Sequence, residues 1–105
     1  MLKPEKLMLS HDEWQQVIAI LQHFLPEYEI WAFGSRVNGN AKQFSDLDLA
    51  IMSEQPTPLA LIAEIAEAFS DSNLPWKVDL VDWATTSERF RQVIAAQKLV
   101  IKHCV

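Results

Sequence analysis

The stretch GSRVNGNAKQFSDLD, residues 34–48, sets a Gly-Ser pair ten residues ahead of two aspartates that are one residue apart. A third acid, Asp79, stands inside another apolar run, WKVDLVDW, residues 76–83. Side chains alternate across a β-strand, so Asp46 and Asp48 are expected to point the same way. Their Cα atoms would lie about 6.6 Å apart at roughly 3.3 Å of rise per residue. Leu47, Leu49 and Ile51 take the opposite face, and Ala50 leaves room beside the carboxylates. Asp79, between Val78 and Leu80, likewise stands against an apolar face, whereas Asp82 should point to the other side. Carboxylates gathered on one surface repel each other and rise in pKa unless a cation relieves them. Oxygen-only ligands suit Mg²⁺, and two such ions about 3.5–4 Å apart are a recurrent device in phosphoryl chemistry. Alone, an Asp-x-Asp is more often a solvated strand end or an edge strand defended by charge.

The Gly-Ser pair carries the complementary chemistry. Gly34 permits backbone dihedrals that other residues avoid and lets a ligand approach closely. Ser35 is expected at a helix start, where free N–H groups and the dipole favour an anion. Its hydroxyl would bind a phosphate oxygen, with Arg36 within reach of the same group. By itself the pair reads as an ordinary strand-to-helix turn capped by Ser35. It is not a Walker A loop, since no G-K-[ST] follows, and two glycines in the whole chain exclude a dinucleotide fingerprint.

The flanking elements must position these groups. Ser10 and Glu13 have capping-box spacing, and Trp14, Val17, Ile18, Leu21, Phe24 and Leu25 recur at helical intervals until Pro26. Residues 28–33 read as a strand, Ser35 to about Asn40 as one or two helical turns, and residues 46–52 as a second strand. Thr57 as cap and Pro58 at the first helical position open a helix to about Phe69, with Leu59, Ile62, Ile65, Ala66 and Phe69 inward. Residues 76–83 form a third strand. Thr85 and Glu88 repeat the capping-box spacing and start a helix to about Ala96, and the tail LVIKHCV is β-like. The order α-β-α-β-α-β-α predicts an α/β (α+β) fold with helices against a small mixed sheet.

Composition bounds the function. The 105 residues form one expected domain, 1–105, with half the residues hydrophobic and one cysteine, Cys104. That cysteine usage, and an N-terminus without signal-peptide features, fit a reducing cytoplasm. No apolar run approaches the roughly 20 residues of a membrane span. A net charge of −5 without a basic cluster argues against direct nucleic-acid binding. A nucleotide ligand stays open, because a metal can supply positive charge.

In combination, the apolar strand, Gly34-Ser35, and Asp46-x-Asp48 on the next strand resemble the signature of the DNA polymerase β-type nucleotidyltransferase superfamily. The capping-box helix before it and VDLVDW after the next helix resemble the minimal nucleotidyltransferase (MNT) family, over nearly the whole chain. The resemblance implies a nucleotidyltransferase fold in which Gly34 and Ser35 hold the ATP triphosphate. It implies that Asp46 and Asp48 bind Mg²⁺, two ions in all, while Asp79 completes the site and helps activate an acceptor hydroxyl. It further implies AMP transfer from ATP. MNT proteins resemble antitoxins paired with HEPN-family helical proteins, and some modify a partner tyrosine, a type VII-like arrangement.

Two other functions are kept beside this one. The chain would be a binding module that neutralises a HEPN partner by complex formation, the acids being a relic. Or it would be a small-molecule nucleotidyltransferase subunit similar to aminoglycoside-modifying relatives, which the expected lack of an acceptor domain disfavours. Trp14 reads as core, and Trp31, Trp76 and Trp83 as core or partner packing. His11, His23 and His103 lack metal-ligand spacing with Cys104. Lys42 and Lys77 read as surface residues within reach of phosphate, Lys77 being expected to point away from Asp79, and Asp82 as a loop or cap ligand.

Overall fold

The computed structural model describes residues 1–104. Its elements are α1 (His11–Phe24), β1 (Ile30–Phe33), α2 (Ser35–Asn38), β2 (Leu47–Ile51), α3 (Leu59–Ser70), β3 (Val78–Asp82), a 3₁₀ turn (Trp83–Thr85), α4 (Glu88–Gln97) and β4 (Leu99–Lys102). The capping box of α1 forms as its spacing predicts. Ser10 Oγ accepts from the Glu13 amide at 3.1 Å, and Glu13 Oε1 accepts from the Ser10 amide at 2.8 Å. Two otherwise orphaned donors are thereby satisfied.

The β-like tail is a true strand and extends the expected order by one element. The four strands run β3-β2-β1-β4. β1 pairs antiparallel with β2 and β4, while β2 and β3 are parallel, so the sheet is mixed as expected. Its two faces differ. Leu47, Leu49 and Ile51 join Ile30, Ala32 and Ile101 in one core with Trp14, Val17, Ile18 and Leu21 of α1 and Ile65 and Phe69 of α3. Each fully buried aliphatic side chain there contributes about 1.5–3 kcal/mol. The other face carries Phe33, Ala50 and Ile94, with Trp31, Val81 and Trp83 packed around them. α4 packs on that second face and supplies Ile94 to it.

Helix starts are where the sequence reading needs correction. Pro58 is the N-cap of α3, and Thr57 makes no cap bond to it. Thr57 is instead held by Asp82, which accepts from its amide at 2.9 Å and its hydroxyl at 2.8 Å. Leu59, expected inward, is 83% exposed: it is the first residue of α3, and at about 100° per residue it falls well off the stripe marked by the buried Ile65 and Phe69. Ala66 is exposed too. The cap of α4 is Ser87 rather than Thr85, since a 3₁₀ turn intervenes and the Thr85 hydroxyl donates to the Asp82 carbonyl. Trp14 is core as expected, and its indole N–H donates to the Met1 carbonyl at 3.0 Å. Among the described residues no helix is long and apolar enough to cross a membrane.

Candidate active site

β2 and β3 bring the acids together by register. Asp48 lies opposite Phe33 on β1 and opposite Asp79 on β3. Alternation then places Asp48 and Asp79 on the face that α4 covers, with Ala50 and Val81 following on the same side. Leu47 and Leu49 anchor the strand in the opposite core. Asp46, just ahead of β2, lies close enough to Asp79 for its charge to raise the Asp79 pKa. Asp82 falls on the other face, as its odd spacing predicts. Its carboxylate accepts from Ser53 Oγ at 2.5 Å as well as from Thr57. Burial alone would raise the Asp82 pKa, but those hydrogen bonds outweigh it and hold the carboxyl below its ordinary value. Asp82 therefore ties the β2–α3 loop to β3 and stands apart from the other acids.

Asp48 and Asp79 are both held above the ordinary carboxylate range. Asp48 is pushed up to about 6, first by burial, then by the charges of Asp79 and Asp46. Asp79 is raised by burial and by the charge of Asp46, against a smaller lowering by Lys77. Lys77, expected to point away from Asp79, lines the same cleft, because residues two apart on a strand share a side. Among the described residues, no three acidic, histidine or cysteine side chains close into a ready-made cage. Mg²⁺ does not require one: it is held by one or two carboxylates, with substrate phosphates and water supplying the remaining oxygens. An oxygen-only donor set with crowded, unrelieved carboxyls fits that ion.

Gly34 meets its expectation most directly. Its φ is +82°, a left-handed value, and a Cβ there would collide with Asp48 Oδ2. Only glycine can both make this turn and sit against the acid strand. Its carbonyl accepts from the amides of Val37 and Asn38, each at 3.0 Å, and its own amide donates to Gln97 Oε1 at 2.9 Å. Ser35, half-buried, is the first residue of α2 directly beyond the turn.

Arg36 takes a different place from the phosphate contact expected of it. The side chain is 5% exposed. Its Nε donates to Ser45 O at 2.9 Å, Nη1 to Met8 O at 2.7 Å, and Nη2 to Lys42 O and Gln43 O at 3.4 and 3.2 Å. The guanidinium also stacks on Trp76, 4.5 Å from the ring centroid. Burial lowers its pKa, and the charges of Glu13 and Asp46 partly offset that. A planar fork satisfied by four carbonyls is a clamp. It fixes the 42–45 loop, and hence the point at which Asp46 enters β2.

Two further features escape the sequence reading. Beside Asp46 and Asp79 opens a cleft of about 670 Å³, walled by Phe44, Phe69, Leu74, Pro75 and Trp76. Phe44 within it is 66% exposed, an unusual exposure for an aromatic one residue from Ser45 and two from an acid of the site. The other is Gln97, at the end of α4, which reaches the glycine turn across 63 residues of sequence.

A strand-turn-helix with positive-φ glycine, followed by two strands that present three carboxylates beside it, defines a nucleotidyltransferase core. Residues 15–103 match the family model described as Polymerase beta, Nucleotidyltransferase, and the chain belongs to that family. At 53% identity over 97 residues, covering 92% of this chain and 85% of the relative, it is similar to a probable protein adenylyltransferase MntA of Haemophilus influenzae. Its fold superposes on a chain of a toxin-antitoxin crystal structure with AMP-PNP at a TM-score of 0.73 and 26% identity. That match covers 86% of this chain and 73% of the other. A complex of a tri-AMPylated Shewanella oneidensis HEPN toxin with its MNT antitoxin shares the fold at a TM-score of 0.68 and 24% identity, over 90% and 73% of the two chains.

Proposed function

We propose that this protein is a Mg²⁺-dependent adenylyltransferase that moves AMP from ATP to a tyrosine hydroxyl of a HEPN-family partner, and that it acts as an antitoxin in the cytoplasm. The observation that carries the reading is the convergence of Asp46, Asp48 and Asp79 beside the Gly34 turn. The 53% identity to a probable protein adenylyltransferase supports the same reading.

The geometry supports the following roles. Ser35, directly beyond the glycine turn, takes the β- and γ-phosphates. Asp46, Asp48 and Asp79 hold Mg²⁺, which when bound supplies the positive charge that offsets charge developing on the α-phosphate and the leaving pyrophosphate. Displacement in line requires that acceptor and pyrophosphate lie on opposite sides of the α-phosphorus. Gly34 abuts Asp48, whereas the cleft opens beside Asp46 and Asp79. This arrangement supports a triphosphate on the Asp48 side and an acceptor that enters through the cleft past Phe44. A new O–P bond forms to the acceptor oxygen, the bond to pyrophosphate breaks, and the hydroxyl proton passes to the Asp79 carboxylate and on to solvent.

The test is incubation with α-labelled ATP, Mg²⁺ and the helical HEPN protein of the neighbouring gene. Label is expected on a partner tyrosine with wild type and not with Asp48→Asn. No transfer, together with neutralisation by Asp48→Asn equal to wild type, would leave only a stoichiometric binding module.

A further inference from the structure

The turn that faces the substrate is fixed from two directions. On its C-terminal side, the Gly34 carbonyl is held by the Val37 and Asn38 amides of α2. On its N-terminal side, β1 has ended at Phe33, and the Gly34 amide is held by one side-chain oxygen, Gln97 Oε1, at 2.9 Å. Gln97 is half-buried and is the last residue of α4. It lies on the same inward stripe as Ile94 and Phe90, which pack against Phe33. Glycine is free to adopt many backbone dihedrals besides its φ of +82°, so what holds this turn in one conformation is its hydrogen bonds. A rotation of the Phe33–Gly34 peptide would break the bond to Gln97 and shift Ser35.

We infer that Gln97 is a positioning residue for the triphosphate: its carbonyl oxygen locks the Gly34 peptide so that Ser35 is presented to the β- and γ-phosphates. This rests on the reading of Gly34 and Ser35 as the triphosphate cradle. The side chain acts through the turn and touches neither substrate nor metal, so its loss weakens nucleotide binding more than it slows the transfer step. A neutral acceptor is required. A carboxylate in the same place keeps the hydrogen bond yet adds a negative charge beside Asp48 and an anionic substrate.

The experiment measures Mg²⁺-dependent AMP-PNP affinity by calorimetry, and KM for ATP and kcat for partner modification, on the chain in complex with its HEPN partner. Gln97→Met, close in shape but without the acceptor, should raise Kd and KM about two- to twelvefold, the range of one lost hydrogen bond. Its kcat should stay within about twofold, the signature of a lost binding interaction rather than a lost transition-state one. Gln97→Glu keeps an acceptor and guards against a folding defect; it should raise Kd at least as far while its melting temperature stays near wild type. A Met variant with wild-type Kd and a lower melting temperature would overturn the inference by showing a structural role alone. A Kd that falls would overturn it by showing that Gln97 competes with phosphate for the amide. Absence of Mg²⁺-dependent binding by wild type would instead sink the triphosphate cradle itself.

Discussion

Asp48→Asn should stabilise the metal-free protein while abolishing AMP transfer. Asp48 is half-buried, faces two other acids, and among the described residues no donor reaches it. Its carboxyl rises from an ordinary 3.8 to about 6. At about 1.4 kcal/mol per pH unit that corresponds to about 3 kcal/mol against the ionised form, and partial solvation reduces this to about 1–2 kcal/mol. The sign follows from proton linkage. Below about pH 3.8 both folded and unfolded states hold the proton, and Asp48 costs nothing. Between 3.8 and about 6 only the folded state holds it, so wild-type stability falls as pH rises. Above about 6 the penalty is complete. Asparagine is isosteric and uncharged, so the variant should melt about 5–15 °C higher than wild type at pH 7.5 and level with it near pH 3.5. Thermal melts without metal, followed by circular dichroism across that range, read the difference. Adding Mg²⁺ with AMP-PNP should narrow it by stabilising wild type alone. A variant that melts lower at pH 7.5, or whose advantage does not change with pH, would refute the electrostatic reasoning.

Three other perturbations test separate parts of the molecule. Gly34→Ala places a Cβ on Asp48 Oδ2 at φ +82° and should cost about 1–3 kcal/mol in chemical denaturation with loss of AMP-PNP binding. Asp82→Ala leaves the Ser53 and Thr57 donors unpaired and should cost about 2–4 kcal/mol at neutral pH. Because the Asp82 pKa lies below its ordinary 3.8, its contribution is present above that pH and is lost as pH falls through the lowered value, so wild type and variant should converge in acid melts. Phe44→Ala removes an exposed wall of the cleft and should raise KM for the protein acceptor about tenfold while leaving KM for ATP unchanged.

What the sequence makes legible is what local chemistry decides. Strand alternation alone assigns Asp46, Asp48 and Ala50 to one face and Leu47, Leu49 and Ile51 to the other, because a period of two leaves no alternative once the leucines seek the core. The α1 capping box and the glycine turn are equally local. The sequence is least informative where a tertiary partner outbids a local one. Thr57 has cap chemistry, but Asp82 on a distant strand offers both its amide and its hydroxyl an ionised acceptor, a stronger partner than a helix end. Arg36 follows a Gly-Ser pair and so suggests phosphate, yet four carbonyls from two loops converge on it, and convergence across the fold has no sequence signature. Gln97 is invisible for the same reason: nothing near residue 97 indicates that its side chain meets Gly34.

The central claim is that these acids and the Gly34 turn together bind a magnesium triphosphate. Calorimetric titration of AMP-PNP into the partner complex, with and without Mg²⁺, measures it most directly. The account predicts saturable binding only with Mg²⁺, lost in Asp48→Asn. Equal binding without the metal, or binding that Asp48→Asn leaves intact, would contradict it.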